Sequence, residues 1–424
     1  MDPTEDKTIL LDHKHIYARG TRLILSPHKP LRPYGSNLYP IPEGMTEEDM
    51  MLPREEETYS LRQQVFDRRN APRKSKNYRH DKDAEMEVTI VDMIVGSPGP
   101  GYRPGSQKLL CRVSKAPSTS PSKQEQEMPS TGQYLFLKVY DALFWHKHLE
   151  ITERNIKVTI LADSAFSDEF GVYHFLHQKG LTGFDHRRTG YAAIASRFYG
   201  GWKTSVTSLS DEFSKKSRQV AILALEYVDG VSLAYLFKAS GPSQRTVTLY
   251  QDKPPTRSFH TNQDQRMQIV AQLLNGIVSQ EYLGLDGAEL HPEKVIITMK
   301  SLDKYLSKPR AVLVGYRQAI LDKLRTEPAQ AWAEFDKKLH PITRFSWEIL
   351  EDFEGWIPAK WKPPEDDPDD TPDLDYWFVT TFGTIKRTNP DYAAFTRRKP
   401  RAVAMPEETS TASGNTGAEM KEEP

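Results

Sequence analysis

Apolar and polar residues alternate along one part of this chain and shift to helical spacing further on. Three segments between residues 86 and 140, EVTIVDMIV, QKLLCRV and YLFLKVY, carry apolar residues at nearly every second position, as half-buried strands do. The last two are separated by SKAPSTSPSKQEQEMPSTG, residues 114–132, which reads as a low-complexity hairpin insertion, expected to be mobile. A helix is expected over SDEFGVYHFLHQKG. Ser167 or Asp168 would be its N-cap, Gly180 its stop, and Phe170, Tyr173 and Leu176 recur at helical spacing. Two more strands, AIASRFYG and VAILALEYV, follow. Beyond Gly230, QDQRMQIVAQLLNGIVSQEYLG shows the i, i+3, i+4 stripe of a buried helix. The loop LDGAELHPE then leads into two short strands, KVIITM and RAVLVGY. The remainder to about residue 395 reads as helical or irregular and rich in Trp.

The first 85 residues break this pattern. Their apolar groups are short, scattered between prolines, and too thin for a core of their own, which predicts an extended or disordered arm. One piece of it, EEETYSLRQQVFDRRN, has Leu61, Val65 and Phe66 on one side and acidic residues at its start, as a short helix would. The basic run from Arg68 to Lys82 is either a solvated linker or a patch for nuclear import or phosphate. Residues 398–424 are a polar tail. The division expected is therefore an arm (1–85), a β-rich part (86–228), a mainly helical part (229–397) and a tail.

Composition narrows the function classes. A length of 424 residues suits two or three folding units. The 57 basic and 58 acidic residues nearly cancel, leaving a net charge of −1, which argues against a general polyanion binder and a nucleic-acid partner. Hydrophobic residues make up only 38%, so part of the chain is expected to be solvated, while aromatics at 10% still supply a core. The single cysteine, Cys111, excludes an intrachain disulfide and a Cys-based zinc site, and a reducing compartment is its natural setting. No apolar run approaches the roughly 18–20 residues that span a bilayer. Asp12, His13, Lys14 and His15 interrupt any apolar signal core at the start. The expectation is a soluble intracellular protein, cytoplasmic or nuclear, without a membrane partner.

The order of elements, strands then helix, strands, linker, long helix, loop and strands, resembles that of protein kinases, and particular residues carry the likeness. LFLKVYD looks like the third-strand lysine motif, with Lys138 as the lysine. DEFGVYHFL resembles the following helix, with Glu169 as its partner. LALEYVDGVSL looks like the hinge, where Leu225 would be the gatekeeper and the backbone of Glu226 and Val228 would face adenine. GAELHPEKVII is similar to the catalytic loop, VLVGYRQA falls where the D-F-G motif belongs, and FEGWIPAKW resembles divergent kinase-like proteins of filamentous fungi. The likeness covers roughly residues 86–395. It implies an α+β, bilobal kinase-like fold, with a small β-rich lobe, a reduced and mainly α second lobe, and an ATP site.

Elementary chemistry supports part of this. A lysine between Leu137 and Val139 on a central strand is costly to bury unpaired, and a glutamate on a packed helix about thirty residues later can pair with it. In kinases that pair holds the lysine against the α- and β-phosphates. The alternative is that Lys138 snorkels out at a strand edge and Glu169 is only a helix-start carboxylate.

The remaining machinery departs from the family pattern. GSPGPGYRPG places Gly96, Gly99 and Gly101 as G-x-x-G-x-G. Pro98, Pro100 and Pro104 remove N–H groups that a phosphate cradle would use, so a plain turn is as good a reading. Glu289 stands at the place of the catalytic aspartate, one methylene longer. The family histidine and arginine become Gly287 and Ala288. Lys294 replaces the metal-binding asparagine, repelling Mg²⁺ and offering its own charge to phosphate. Gly315 replaces the metal-binding aspartate, followed by Tyr316 and Arg317. Asp286 and Asp303 lie nearby but out of register. No metal site is expected. His174 with His177, and His146 with His148, lack a third ligand. Trp332, Trp347, Trp356, Trp361 and Trp377 read as core anchors, and Glu365–Asp370 as a solvated loop. The resulting expectation is a pseudokinase that leans away from enzyme activity. It would bind ATP without Mg²⁺ held by the usual ligands, and act as a binding or scaffolding module for a protein partner the sequence does not identify. The alternative is a divergent ATP-dependent phosphotransferase with Glu289 as base.

Overall fold

The computed structural model of the chain describes residues 15–35, 38–66, 71–75, 84–95, 105–118, 128–145, 156–183, 193–208, 216–239, 245–248, 258–302, 304–327, 335–367 and 370–395. The glycines at 96, 99 and 101 with their prolines, His146, His148, Trp332, Asp303, the polar tail, most of the basic run and the middle of the low-complexity insertion, residues 119–127, lie outside these residues.

In chain order the strands used below are β1 (Arg22–Pro27), β2 (Met86–Val95), β3 (Gln107–Lys115), β4 (Tyr134–Tyr140), β5 (Phe198–Thr207), β6 (Ser217–Glu226), β7 (Val231–Ser232), β8 (Arg245–Thr248), β9 (Ser258–Thr261), β10 (Leu285–Asp286), β11 (Val295–Ser301), β12 (Lys304–Leu313) and β13 (Ile320–Leu321). The helices used below are α1 (Glu47–Met50), α2 (Leu61–Val65), α3 (Val158–Gln178), α4 (Leu233–Ala239), α5 (Gln263–Tyr282), α6 (Pro341–Arg344), α7 (Trp347–Leu350) and α8 (Pro372–Phe382). The architecture is mixed α/β.

Six strands close into an antiparallel barrel in the order β1-β2-β3-β4-β6-β5. β1 is the closing strand. Its residues from Arg22 to Leu25 pair with Thr89 to Met86 of β2, and Ser26 and Pro27 pair with Lys203 and Trp202 of β5. Without β1, β2 and β5 would be open edges, each a row of unpaired backbone groups. Its alternation is clear in burial: Leu23 and Leu25 point into the barrel, while Arg22 and Ile24 face out.

For the described residues between 15 and 66, the extended arm expected over residues 1–85 is therefore corrected. Ile16, Tyr17, Leu23, Leu25, Leu61 and Val65 join the main core, and Tyr34, Met45 and Met50 form a second cluster with Ile160 of α3. The arm has too few apolar residues to fold alone, but enough to cover a barrel edge and a helix face. The short helix expected there is realised as α2, with Ser60 as N-cap in a capping box with Gln63.

The helix α3 begins well before the expected caps. Lys157 is the N-cap and no side chain caps it. Ser167 and Asp168 sit mid-helix, where their side chains bind another segment instead of the helix start. The β-branched run of Val158, Thr159 and Ile160 hides the true first turn from a propensity reading. At the other end, Gly180 takes φ +69 and Leu181 N–H reaches Leu176 O at 2.8 Å, a left-handed stop.

Beyond Glu226 the chain is less helical than expected. α5 is the buried helix, capped by Asn262 with Gln265 in a capping box. Around it lie the small sheets β12-β11-β7, β10-β13 and β8-β9. Trp347, Trp356 and Trp361 are buried anchors, and Trp361 packs on Trp377 at 4.8 Å. Cys111 is buried inside the barrel, and burial pushes its thiol up to about 12. Among the described residues no helix is long and apolar enough to cross a membrane.

Candidate functional site

Lys138 lies on β4, in register with Lys108 of β3 on one side and Leu223 of β6 on the other. Leu135, Leu137 and Val139 turn into the barrel, so Phe136, Lys138 and Tyr140 share the outer face. α3 packs across that face and brings Glu169 to it. Lys138 Nζ donates to Glu169 Oε1, and Tyr140 OH donates to Oε2 at 2.5 Å. Lys138 is 6% exposed and Glu169 1%. The lysine is therefore not an edge residue that snorkels to water. Both carboxylate oxygens have a donor, which offsets the cost of burying the charge. Burial, and then the Glu169 carboxylate, push the Tyr140 pKa up.

Glu169 is continued by an aromatic column. Tyr173, one turn further along α3, stacks on Phe198 of β5 at 6.4 Å and meets Tyr316 edge-on at 5.3 Å. Gln280 of α5 donates to the Tyr316 hydroxyl at 2.9 Å. The column thus runs from the barrel through α3 to the second half of the chain. Tyr316 follows Gly315, which has φ +89 and ψ +60. A Cβ added at Gly315 would meet nothing within 4 Å. The position has room for a side chain and offers no carboxylate. The next residue, Arg317, is exposed. Its guanidinium lies 5.2 Å over the Trp145 ring, and its Nη1 is 3.5 Å from where a side chain on Gly105 would begin.

The loop before β11 places Glu289 and Lys294 together. Pro292–Lys294 form a 3-10 turn, and His291 Nδ1 accepts from Glu293 N–H at 3.2 Å. The turn folds Lys294 back onto Glu289, and the two form a partly exposed ion pair. The Lys294 ammonium, expected to be on offer to phosphate, already has a carboxylate partner. Asp286 takes a different role, paired with Arg325 at 3.6 Å. Among the described residues no three His, Cys, Asp or Glu side chains converge as a metal site would require.

The segment expected to face adenine is anchored by a buried ion pair. Arg310 of β12 sends Nη1 to Glu226 Oε1 at 2.8 Å and Nη2 to Oε2 at 3.1 Å. Arg197 N–H donates to Oε2 at 3.0 Å. Arg310 is fully buried and Glu226 is 3% exposed. Burial alone would raise the Glu226 pKa, but the Arg310 guanidinium and the hydrogen bonds outweigh it and hold the carboxyl below its ordinary value. The Glu226 backbone N–H donates to Arg197 O at 2.9 Å. Val228 lies past the end of β6, half-buried and outside any regular element.

Several of these residues were not singled out from sequence. Tyr140 carries a signal: it lies two residues from Lys138, hence on the same strand face. Arg310 has none, since nothing in SKPRAVLVG separates a fully buried arginine from a solvated one. His174 and His177 pack on the rings of Phe170 and Phe198.

A buried carboxyl on α3, that of Asp168, gives a pH-dependent prediction. Asp168 accepts from Tyr34 N–H at 3.0 Å, and burial raises its pKa to about 8, against the opposing pull of Arg317. A carboxyl raised in the folded state contributes stability below its unfolded pKa and loses it as pH rises through the folded value. The window is thus about pH 4 to 8. Asp168→Asn keeps an acceptor for Tyr34 and cannot ionise. Relative to the parent chain it should gain stability steadily from pH 5 to pH 8, read from denaturant midpoints. A constant difference across that range would contradict the assignment.

Comparison with known proteins adds little. No family model matches the chain, and no curated protein matches it. Among solved structures it is similar to a kinase domain, with a TM-score of 0.28 and 12% identity over 57% of this chain and 53% of the other. The chain therefore spans about half the length of that neighbour. At this score the likeness is too loose to assign a family.

Proposed function

We propose that this chain is a catalytically impaired, protein-kinase-like module that binds a nucleotide without a divalent cation and acts by binding a protein partner. The barrel is read as the smaller lobe with one added strand, and the part around α5 as the second lobe. The observation that carries the reading is the buried Lys138–Glu169 pair on a central strand and its packed helix; the resemblance adds Gly315 where the metal-binding aspartate would stand. Phosphoryl transfer depends on positioning and on neutralising phosphate charge, with metal ions held by side-chain ligands. Here the lysine arm of that apparatus is kept and the carboxylate arm is missing. The cations proposed for the phosphates are Lys138 and the exposed guanidinium of Arg317. Lys294, the earlier candidate, is engaged with Glu289. That same pair disfavours Glu289 as a general base, because accepting a substrate proton would break it.

Thermal unfolding of the full chain with ATP, with and without Mg²⁺, tests this. Ligand at 100 times its Kd stabilises by about 2.7 kcal/mol. The expected result is an upward shift of equal size in both conditions. A shift that needs Mg²⁺ would overturn the metal-free reading, and no shift would overturn nucleotide binding. Gly315→Asp provides a positive control for the missing ligand. Aspartate visits left-handed backbone more readily than most residues, and the open space at Gly315 admits it. The variant should lose about 1–2 kcal/mol of stability and acquire an added, Mg²⁺-dependent shift with ATP.

A further inference from the structure

One face of α3 meets the barrel through Glu169 and Tyr173. The opposite face carries Asp163, Ser167 and Gly171, a stripe at i, i+4 and i+8. Residues 31–35 of the N-terminal segment lie along that stripe. Ser167 Oγ donates to Leu31 O at 2.7 Å, and Tyr34 N–H donates to Asp168 Oδ1 at 3.0 Å. The Tyr34 hydroxyl donates to Asp163 Oδ2 at 2.5 Å, and Arg73 N–H donates to Oδ1 of the same residue at 3.2 Å. Tyr34 is fully buried. Gly171 is the point of closest approach: a Cβ there would lie 2.6 Å from Pro33 Cγ. The same segment also reaches the stretch after Arg317. Tyr39 OH accepts from Leu321 N–H at 2.8 Å, and Leu38 O accepts from Thr326 N–H at 2.9 Å.

We infer that residues 31–35 are a positioning strap, which presses α3 onto the barrel and so sets the Lys138–Glu169 pair, coupling nucleotide occupancy to docking of the N-terminal segment. The coupling to nucleotide rests on the function proposed above. The strap touches neither Lys138 nor Glu169, so its effect on them passes through the rigid helix. Three polar anchors, Asp163, Ser167 and Asp168, and one glycine contact fix it. Its hold is local, and releasing it need not unfold the barrel, whose strands pair independently of residues 31–35. By linkage, whatever tightens the strap tightens nucleotide binding, and nucleotide tightens the strap by the same factor. A partner protein that displaced residues 31–35 from α3 would thereby loosen the cleft.

Two variants test this in the full chain. Gly171→Ala favours helix by propensity but drives a methyl into Pro33. Tyr34→Phe removes one anchor and little volume, so it stands in if the first does not fold. Pulse acetylation of lysines read by mass spectrometry reports the buried Lys138 amine without any nucleotide. Labelling of Lys138 should rise about tenfold in the Ala variant and less in the Phe variant, with β-barrel lysines such as Lys203 unchanged. ATP affinity should fall by at least about fivefold, the low end of ordinary coupling. Unchanged Lys138 labelling in both variants overturns the strap. Raised labelling with unchanged ATP affinity overturns its coupling to nucleotide. If the parent chain binds no ATP, the proposed function and this coupling both fail, and the strap's hold on α3 is decided by Lys138 labelling alone.

Discussion

Replacing Arg310 with methionine should destabilise the chain by about 3–5 kcal/mol, against the 5–15 kcal/mol that holds a typical domain folded. Methionine fills much of the aliphatic volume, so the loss comes from the charge left behind. Glu226 would keep the Arg197 N–H and lose both guanidinium contacts, in a site with 3% exposure. An unpaired carboxylate there must either stay ionised at high cost or take up a proton. The pH dependence separates these effects. In the parent chain the Glu226 pKa is depressed, so its contribution is present above the unfolded pKa and is lost as pH falls through the folded value. The Arg310→Met defect should therefore be large at pH 7 and shrink towards pH 4. Adding Glu226→Met should recover most of the loss, because apolar replacement of a whole buried pair is often neutral or better. Denaturant midpoints of the four chains, measured at pH 4 and pH 7, give the comparison. A single-variant loss under about 1 kcal/mol at pH 7 would mean that water or a second cation reaches Glu226.

Where the sequence pattern reads correctly, and where it does not, follows from the range of the forces involved. Strand alternation in YLFLKVY is a local signal, and that segment forms β4; VAILALEYV, expected only as a strand, forms β6 as far as Glu226, buried at every position from Val220 on. α5 announces itself by its stripe of apolar positions, and its Asn262 cap is added by the structure. β1 does not, since RLILSP is short and its reason for pairing lies at two distant edges, β2 and β5. Likewise Tyr34 looks like a loop tyrosine until Asp163 and Asp168 are placed beneath it. Ser167 and Asp168 misled because they are good caps by residue type, while their partners are 136 and 134 residues away. For the candidate site, Lys138 and Glu169 stood out through a shared motif spacing. The Arg310–Glu226 pair and the engagement of Lys294 by Glu289 depend on tertiary placement, which no spacing encodes.

Removing the Lys138 ammonium should have two separable consequences. Lys138→Met leaves Glu169 buried with only the Tyr140 hydroxyl as a side-chain donor among the contacts described, and should cost about 3–5 kcal/mol. It should also abolish the ATP-induced thermal shift, if the lysine is what meets the phosphates. Either loss alone is ambiguous, because a destabilised fold also binds poorly. The double variant Lys138→Met with Glu169→Gln resolves this. A neutral amide keeps the hydrogen bond from Tyr140 and removes the stranded charge, so stability should return towards that of the parent chain. ATP binding should not return, since the cation is still missing. Recovery of both would show that the pair holds α3 in place and that phosphate charge is met elsewhere, with Arg317 then the cation to test. Recovery of stability alone would show that Lys138 is kept for the ligand, because the fold can be held there without it.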